Sequence, residues 1–182
     1  TYEATITVDA ASASGDGGYG IVVTASDAET NQETDTTGTV TLDTTAPAIT
    51  DVTVTDGDDD GRATDGEQIA VNVTTSDATA GIDTVTVNLS AFGGSDAVTL
   101  TDGDADGTYD VTATVDESAA GADGSADIEV NVTDNASISA TDSSESLTLD
   151  TTKPTISAVT ISDATDDDGV VTRVDREGDD YT

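Results

Sequence analysis

Residues 56–67 have the residue types and the spacing of a calcium-binding loop. They follow the pattern D-x-D-x-D-G-x5-E in full, with Gly61 where the chain must turn sharply. Carboxylate oxygens are ligands that Ca²⁺ prefers, and this spacing places several of them around one ion. This first acidic loop predicts a Ca²⁺ site whose ligands are Asp56, Asp58, Asp60, Arg62 through its carbonyl, Thr64 through its hydroxyl or a bridging water, and Glu67 as a bidentate ligand.

A second acidic loop, residues 102–110, repeats the first half of this pattern. A weaker or shared site is predicted there, because Ala113 stands where the bidentate acid is expected; its ligands are Asp102, Asp104, Asp106 and Asp110. The third copy offers a similar set, but an insertion carrying Arg173 and Arg176 changes its spacing relative to residues 56–67: Asp163, Asp166, Asp168, Gly169 and Asp175. The first loop lacks the flanking helices of an EF-hand, so that resemblance is confined to the loop. Solvated acidic turns are the alternative, and the choice between Ca²⁺ and Mg²⁺ stays open.

Four of the five asparagines occur in N-x-S/T sequences, the acceptor pattern for N-linked sugars: Asn72, Asn88, Asn131 and Asn135. Strand alternation places Asn72, Asn88 and Asn131 on outward faces, where a sugar would not enter the core. The sequence therefore predicts surface glycosylation. Chance matches are the alternative, since Ser and Thr are abundant.

Residues suited to catalysis are scarce. The chain has no His and no Cys, and Lys153 carries its only side-chain amine. The few aromatic residues offer no sugar-binding platform beside the many carboxylates, and Tyr2, Tyr109 and Tyr181 are expected to be core residues of their strands. The sequence therefore predicts a protein that is not an enzyme.

The charge is extreme: 39 acidic residues stand against 4 basic ones, giving a net charge of -35. Such a chain repels nucleic acid and anionic membranes, so both classes of partner are excluded. At 1 M salt the Debye length falls to roughly 3 Å, and like charges then no longer oppose compaction. The composition therefore predicts a protein adapted to strong brine, with a moderately acidic calcium protein as the alternative.

Apolar residues alternate with Thr, Asp, Glu or Asn, for example along Ile69-Val71-Val73 and Ile128-Val130-Val132. Period-two alternation is typical of half-buried strands, and no segment has helical periodicity. Gly and Asp clusters separate the strands, as in a two-sheet sandwich. The expected fold is an all-β sandwich of seven strands, near residues 49–55, 68–75, 82–90, 97–101, 108–116, 125–134 and 138–149.

The chain contains an internal repeat. Residues 1–45 align with residues 108–152 without a gap at an offset of 107, with nineteen identities. A repeat of this length is a whole domain. We predict the C-terminal part of one sandwich in residues 1–46, a complete sandwich in 47–152 and the start of a third in 153–182. The incomplete ends are completed either by flanking parts of a longer polypeptide or, less simply, by strand addition from another subunit.

Three stretches carry a resemblance to a known family: Asp106 to Thr112, the pair Asp134-Asn135 after a strand, and Leu149 to Pro154, which recurs at Leu42 to Pro47. They resemble the tandem bacterial-type Ig-like domains of microbial surface proteins, as in adhesins and S-layer proteins, here of a haloarchaeal kind. The resemblance implies Ig-like sandwiches joined end to end. It implies stalks, shafts, filaments or wall coats without an active site.

These observations together favour a non-enzymatic extracellular protein on the cell surface of a halophile. The expected role is the repeat unit of an S-layer or filament, stabilised by Ca²⁺, whose partners are copies of itself. The stalk of an adhesin with its binding tip elsewhere is the alternative, and a spacer in a secreted hydrolase is a third. No apolar run approaches the ~20 residues of a membrane helix, so no membrane insertion is expected in this part of the chain.

Overall fold

The computed structural model describes residues 2–5, 7 and 15–159. The chain divides into two compact units, Thr1–Thr151 and Thr152–Thr182. In the second unit the described residues, 152–159, form no helix or strand, and the third set of predicted acidic ligands and Tyr181 lie outside the described residues. No helix in the described part of the chain is long and apolar enough to span a membrane.

The described residues form ten β-strands and one 3-10 turn, so the all-β fold class is confirmed. The strands are β1 Gly17–Ser26, β2 Gln32–Leu42, β3 Ala48–Thr55, β4 Arg62–Ala63, β5 Gln68–Ser76, β6 Ile82–Val87, β7 Val98–Thr99, β8 Thr108–Thr114, β9 Gly124–Asp134 and β10 Ser139–Leu149. The strand predicted at 82–90 ends at Val87, because Ser90–Phe92 form the 3-10 turn and bury Phe92 in the core at 1% exposure.

Strands β3 to β10 build a sandwich of two sheets. One sheet has the order β3-β5-β8, and the other has the order β4-β10-β9-β6-β7. Neighbouring strands are antiparallel, apart from β4, which lies parallel to the end of β10. The polypeptide crosses from one sheet to the other several times. The two sheets therefore enclose one core and form one domain.

The core lies between the two sheets and consists mainly of Val, Ile and Leu. Buried and less buried residues alternate along β5, where Ile69, Val71 and Val73 point inward. Ile128, Val130 and Val132 on β9 complete the opposite wall of the core. Each such side chain contributes roughly 1.5–3 kcal/mol when it leaves water. The alternation that predicted the strands is therefore the pattern that holds the two sheets together.

Strands β1 and β2 form a hairpin that repeats the β9–β10 hairpin in the same register. Gly17 pairs with Leu42 as Gly124 pairs with Leu149. The apolar face of this first hairpin is uncovered, since Ile21 is 45% exposed.

Residues 1–7 align with residues 108–114, which form β8, so a strand is expected before the first hairpin. The described residues of this segment, 2–5 and 7, do not form one. The prediction that Tyr2 is a core residue is wrong, since its exposure is 103%. Its counterpart Tyr109 lies in β8, pairs with Val73 of β5 and packs against the core. In the described part of the chain, Tyr2 is not in a strand and has no strand beside it.

Candidate functional site

The first acidic loop joins β3 to β5 and is closed by its own carboxylates. Asp56 is 8% exposed and accepts hydrogen bonds from the backbone N–H groups of Asp60 at 3.0 Å and Gly61 at 2.6 Å. Asp59 and Gly61 have positive φ angles of 60° and 82°, which the sharp turn requires. Asp56, Asp58 and Asp60 each bring one carboxylate oxygen within 4.8 Å of the others. The structure therefore brings together three of the predicted ligands.

The other predicted ligands of the first acidic loop have different partners. Glu67 accepts hydrogen bonds from the N–H of Gly57 at 2.9 Å, and from the N–H and hydroxyl of Thr64 at 2.9 and 3.0 Å. Arg62 lies in β4, and its guanidinium pairs with Asp150 at 3.6 Å. Glu67 and Thr64 therefore fix the exit of the loop, beside the three clustered aspartates.

Carboxylates in this loop influence one another electrostatically. Desolvation, followed by the negative charges of Asp60 and Glu67, raises the pKa of Asp58. The N–H of Thr64, against a smaller effect of desolvation, lowers the pKa of Glu67. A cation bound among these carboxylates would relieve the repulsion at Asp58, so the donor set fits a hard ion such as Ca²⁺.

The second acidic loop has the same internal geometry as the first. Asp102 accepts hydrogen bonds from Asp106 N–H at 3.2 Å and Gly107 N–H at 3.0 Å, as Asp56 does from Asp60 and Gly61. Gly107, like Gly61, has a positive φ angle. Asp102, Asp104 and Asp106 bring carboxylate oxygens within 4.8 Å of one another, and Asp104, Asp106 and Asp110 line one shallow pocket. The four predicted ligands thus lie close together.

Two of the predicted glycosylation sites, Asn72 and Asn131, lie on outward strand positions, and a third, Asn88, lies directly after a strand. Asn72 and Asn131 are half-buried and alternate with fully buried valines of β5 and β9. Asn88 follows β6, and its side-chain oxygen accepts hydrogen bonds from the N–H and hydroxyl of Ser90 at 3.0 and 2.7 Å. In all three, the side chain lies on the side of the strand away from the core.

Asn135 is engaged differently. Its side-chain amide donates to the carbonyls of Ala80 at 3.0 Å and Gly81 at 3.2 Å, and so ties the turn after β9 to the turn after β5. An N-linked sugar replaces one of the two amide hydrogens. A sugar on Asn135 is therefore incompatible with both hydrogen bonds at once, unlike a sugar on Asn72, Asn88 or Asn131.

We expect Asn135→Ala to lower the free energy of unfolding by about 1–2 kcal/mol, because the carbonyls of Ala80 and Gly81 lose the side-chain amide and Gly81 keeps only the backbone N–H of residue 135. Urea unfolding in concentrated NaCl, followed by circular dichroism, measures the change. Asn72→Ala is the matched control and is expected to change stability by less than about 0.5 kcal/mol, since Asn72 lies on an outward strand face. Equal effects of the two substitutions would contradict a bracing role for Asn135.

The repeated Leu-Asp-Thr-Thr stretch is held by an aspartate that precedes the hairpin. Asp16 accepts hydrogen bonds from the N–H of Thr44 at 2.8 Å, from its hydroxyl at 2.7 Å, and from the hydroxyl of Thr45. Asp123, the counterpart of Asp16, holds Thr151 through its N–H at 2.9 Å and hydroxyl at 2.8 Å. Both copies therefore fix the course of the chain as it leaves the hairpin.

Three further aspartates meet where the first copy joins the sandwich. Asp43 follows β2, Asp77 follows β5, and Asp134 ends β9, and each brings one carboxylate oxygen within 4.8 Å of the others. Asp134 is 1% exposed. We call these three residues the junction cluster. The N–H of Gly81, against an opposing effect of desolvation, lowers the pKa of Asp77, and the N–H groups of Thr79 and Ala80 lower it further.

No motif spacing indicates the junction cluster, although the sequence contains one signal for it. Asp134 continues the inward positions of Ile128, Val130 and Val132, so a charged residue stands where alternation calls for an apolar one. A charge at an inward position needs compensation. The two aspartates that lie beside Asp134 come from turns 57 and 91 positions earlier in the chain. Only the fold shows that these turns meet.

No protein-family model matches this sequence, and no curated protein matches it. Among solved structures, a tetra-tandem repeat in the extending region of a large adhesion protein is similar, at 31% sequence identity and a TM-score of 0.40. The match covers 75% of this chain and 32% of that one, so this chain spans about a third of the length of the structure it matches.

Proposed function

We propose that this chain is part of the stalk of an extracellular surface protein, a non-enzymatic row of Ig-like sandwiches that spaces another part of the molecule away from the cell. The observation that carries the proposal is the position of the two ends of the sandwich. The proposal rests on this geometry and on the internal repeat, and it does not rest on the likeness to the adhesion-protein repeat.

The chain enters the sandwich beside the end of β5 and leaves it near the start of β5, at the opposite end of the sandwich. It enters at Ala48, which pairs with Ser76 at the end of β5. It leaves at Leu149, which pairs with Ala63, shortly before β5 begins at Gln68. Nine residues of strand separate these ends, roughly 30 Å at the usual rise of a strand. We infer from these two ends that an array of such repeats would be elongated.

The strand arrangement supports the Ig-like assignment. The first, second and fifth main strands, β3, β5 and β8, form one sheet, and the third, sixth and seventh, β6, β9 and β10, lie in the other. For these six strands the division matches that of an Ig-type sandwich, in which the first two strands and the fifth share a sheet. The fourth strand, β7, differs, since it pairs with β6 instead of joining the first sheet. Such domains commonly serve as modules in cell-surface proteins, which supports the extracellular location that we propose.

The two acidic loops give this stalk a means of stiffening. The first lies near the end where the chain leaves, since it contains Ala63, and the second lies near the entry end, since Gly107 accepts a hydrogen bond from Thr75. Bound Ca²⁺ would cancel repulsion among clustered carboxylates at both ends. We propose that these loops bind Ca²⁺ and that sugars on outward asparagines help to keep the array soluble in brine.

Small-angle X-ray scattering on polypeptides with one, two and three copies of residues 47–152 tests the stalk. We expect the maximum dimension to increase by a constant length with each added copy, because each copy is entered and left at opposite ends. A dimension that grows only as the cube root of mass would contradict the proposal. A regular two-dimensional lattice in electron micrographs would instead favour the S-layer or filament role.

A further inference from the structure

We propose that the Asp102–Gly103 step of the second acidic loop is a site of spontaneous covalent modification, at which aspartate isomerises to isoaspartate in the folded chain. Asp102 is half-buried, and Gly103 is exposed. The modification depends on the hydrogen bonds around one peptide bond, so it is independent of the stalk role and of ion binding by the loop.

The reaction passes through a five-membered succinimide ring. The backbone nitrogen of the residue after the aspartate attacks the side-chain carboxyl carbon and forms a new C–N bond. One water leaves, formed from a carboxyl oxygen, the hydrogen of that nitrogen and a proton from solvent. Water then opens the ring at either carbonyl and gives aspartate or isoaspartate, so no oxidant or further reagent is needed. Glycine favours the attack because it has no Cβ beside the nitrogen. A glycine whose N–H already donates a hydrogen bond is held back from it.

Most Asp-Gly steps in the described turns are closed to this reaction by a hydrogen bond from the glycine. Four glycine N–H groups donate in this way: Gly57 to Glu67 at 2.9 Å, Gly61 to Asp56 at 2.6 Å, Gly66 to Val115 at 3.0 Å and Gly107 to Asp102 at 3.0 Å. Gly17 and Gly124, which also follow aspartates, are paired within their hairpins. Gly103 differs, since its N–H donates no hydrogen bond within the described part of the chain.

The two acidic loops form a matched pair that isolates this difference. Asp102, like Asp56, holds the N–H groups four and five residues later. In the first loop Glu67 adds a second restraint, because it accepts the N–H of the glycine after Asp56. The second loop has Ala113 at this spacing, which lies in β8 and packs against the core. No carboxylate therefore holds the N–H of Gly103.

The one remaining restraint opens with the loop itself. Asp102 accepts three hydrogen bonds, all from N–H groups of the same largely exposed turn: Ala105 at 2.7 Å, Asp106 at 3.2 Å and Gly107 at 3.0 Å. An exposed turn with few apolar contacts opens locally at a lower free energy than the core. Opening places the carboxyl group of Asp102 beside an N–H of Gly103 that nothing holds. In the first loop the same opening leaves Gly57 bound to Glu67.

The product changes the second acidic loop. In isoaspartate the backbone runs through the former side-chain carbonyl, so the chain gains one CH2 group and the free carboxylate moves to the former backbone carbonyl carbon. The carboxylate oxygens of Asp102, Asp104 and Asp106 lie within 4.8 Å of one another before the change. We expect the modified loop to lose this cluster, and the second loop therefore ages before the first.

The test is a prolonged incubation of the 182-residue chain at neutral pH in molar NaCl with EDTA, well below its melting temperature. A methyltransferase specific for isoaspartate detects the product, and electron-transfer mass spectrometry of proteolytic peptides locates it. We expect isoaspartate to accumulate at residue 102, with no increase at the protected turn steps: Asp56, Asp60, Asp65 and Asp106. The chain in concentrated urea is the reference, where all these steps should isomerise because their hydrogen bonds are gone.

Matched variants test the role of the glycine N–H. A Cβ at Gly103 meets no atom within 4 Å, and Gly103 is not among the glycines with positive φ. Gly103→Ala should therefore keep the melting temperature, while isoaspartate at residue 102 falls to the level of the protected steps, because the methyl group shields the nitrogen. Glu67→Ala frees the N–H of Gly57 and should add isoaspartate at residue 56. Glu67→Gln, which keeps an acceptor oxygen, should not.

Three results would overturn the proposal. The first is a folded chain without isoaspartate at residue 102, or with equal amounts at every Asp-Gly turn step. The second is undiminished isomerisation in Gly103→Ala. The third is a folded Glu67→Ala variant in which Asp56 stays unmodified, because the glycine hydrogen bond would then not control the reaction. If Glu67→Ala fails to fold, the comparison of Gly103→Ala with the wild type decides.

Discussion

The 182-residue chain is expected to melt at a much higher temperature in about 2 M NaCl than in about 0.05 M NaCl, and to lose its folded structure at ordinary temperature in the dilute buffer. The reason is the net charge of -35. The Debye length shrinks from more than 10 Å in dilute salt to roughly 3 Å at 1 M, so that like charges on neighbouring strands cease to interact. Thermal melts followed by circular dichroism, with EDTA present throughout, measure the effect.

Two comparisons identify the cause. Screening depends on ionic strength, whereas stronger apolar burial depends on the anion, so NaCl and Na2SO4 at equal ionic strength distinguish them. A variant that neutralises exposed strand charges, Asp51→Asn with Asp127→Asn and Glu129→Gln, should need less salt to fold. A melting temperature that stays constant between the two NaCl concentrations would refute the interpretation of this composition as an adaptation to brine.

The main strands could be predicted from sequence because each sheet of the sandwich is buried on one face only. Alternation along Ile69, Val71 and Val73 records that geometry directly, and the observed β5 differs from the predicted strand by one residue. Strand β4 could not be predicted, since two residues show no alternation. It forms because Arg62 and Ala63 pair with the end of β10, more than eighty positions later in the chain. Pairing over such a distance is a property of the fold.

The candidate sites divide in the same way. The first and second acidic loops are local, so spacing alone brought Asp56, Asp58 and Asp60 together, and likewise Asp102, Asp104 and Asp106. The junction cluster is assembled from three turns that are distant in sequence. No spacing rule finds it, and the inward position of Asp134 is its one local sign. Motifs therefore predict loops better than they predict joints between domains.

Replacing one isoleucine in each copy is expected to give very different results. Ile128→Ala should lower the free energy of unfolding by about 2–5 kcal/mol, because the side chain leaves a cavity in a packed core. Ile21→Ala, at the equivalent position of the first hairpin, should cost less than about 1 kcal/mol. The two residues have the same type and the same place in the repeat, but Ile128 is 1% exposed and Ile21 is 45% exposed. Urea unfolding at constant high salt compares them.

Comparing these two substitutions tests what determines the burial of the isoleucine: its position in the repeat, or the presence of the second sheet of the sandwich. Equal and large losses would mean that the first hairpin finds cover in solution, as strand addition between subunits would provide, and the loss at Ile21 would then diminish on dilution. Equal and small losses would mean that the sandwich core contributes little and that charge screening dominates stability. The expected difference follows from one physical fact: a hairpin buries its apolar face only when the second sheet lies against it, and in this chain β3, β5 and β8 cover β9 and β10.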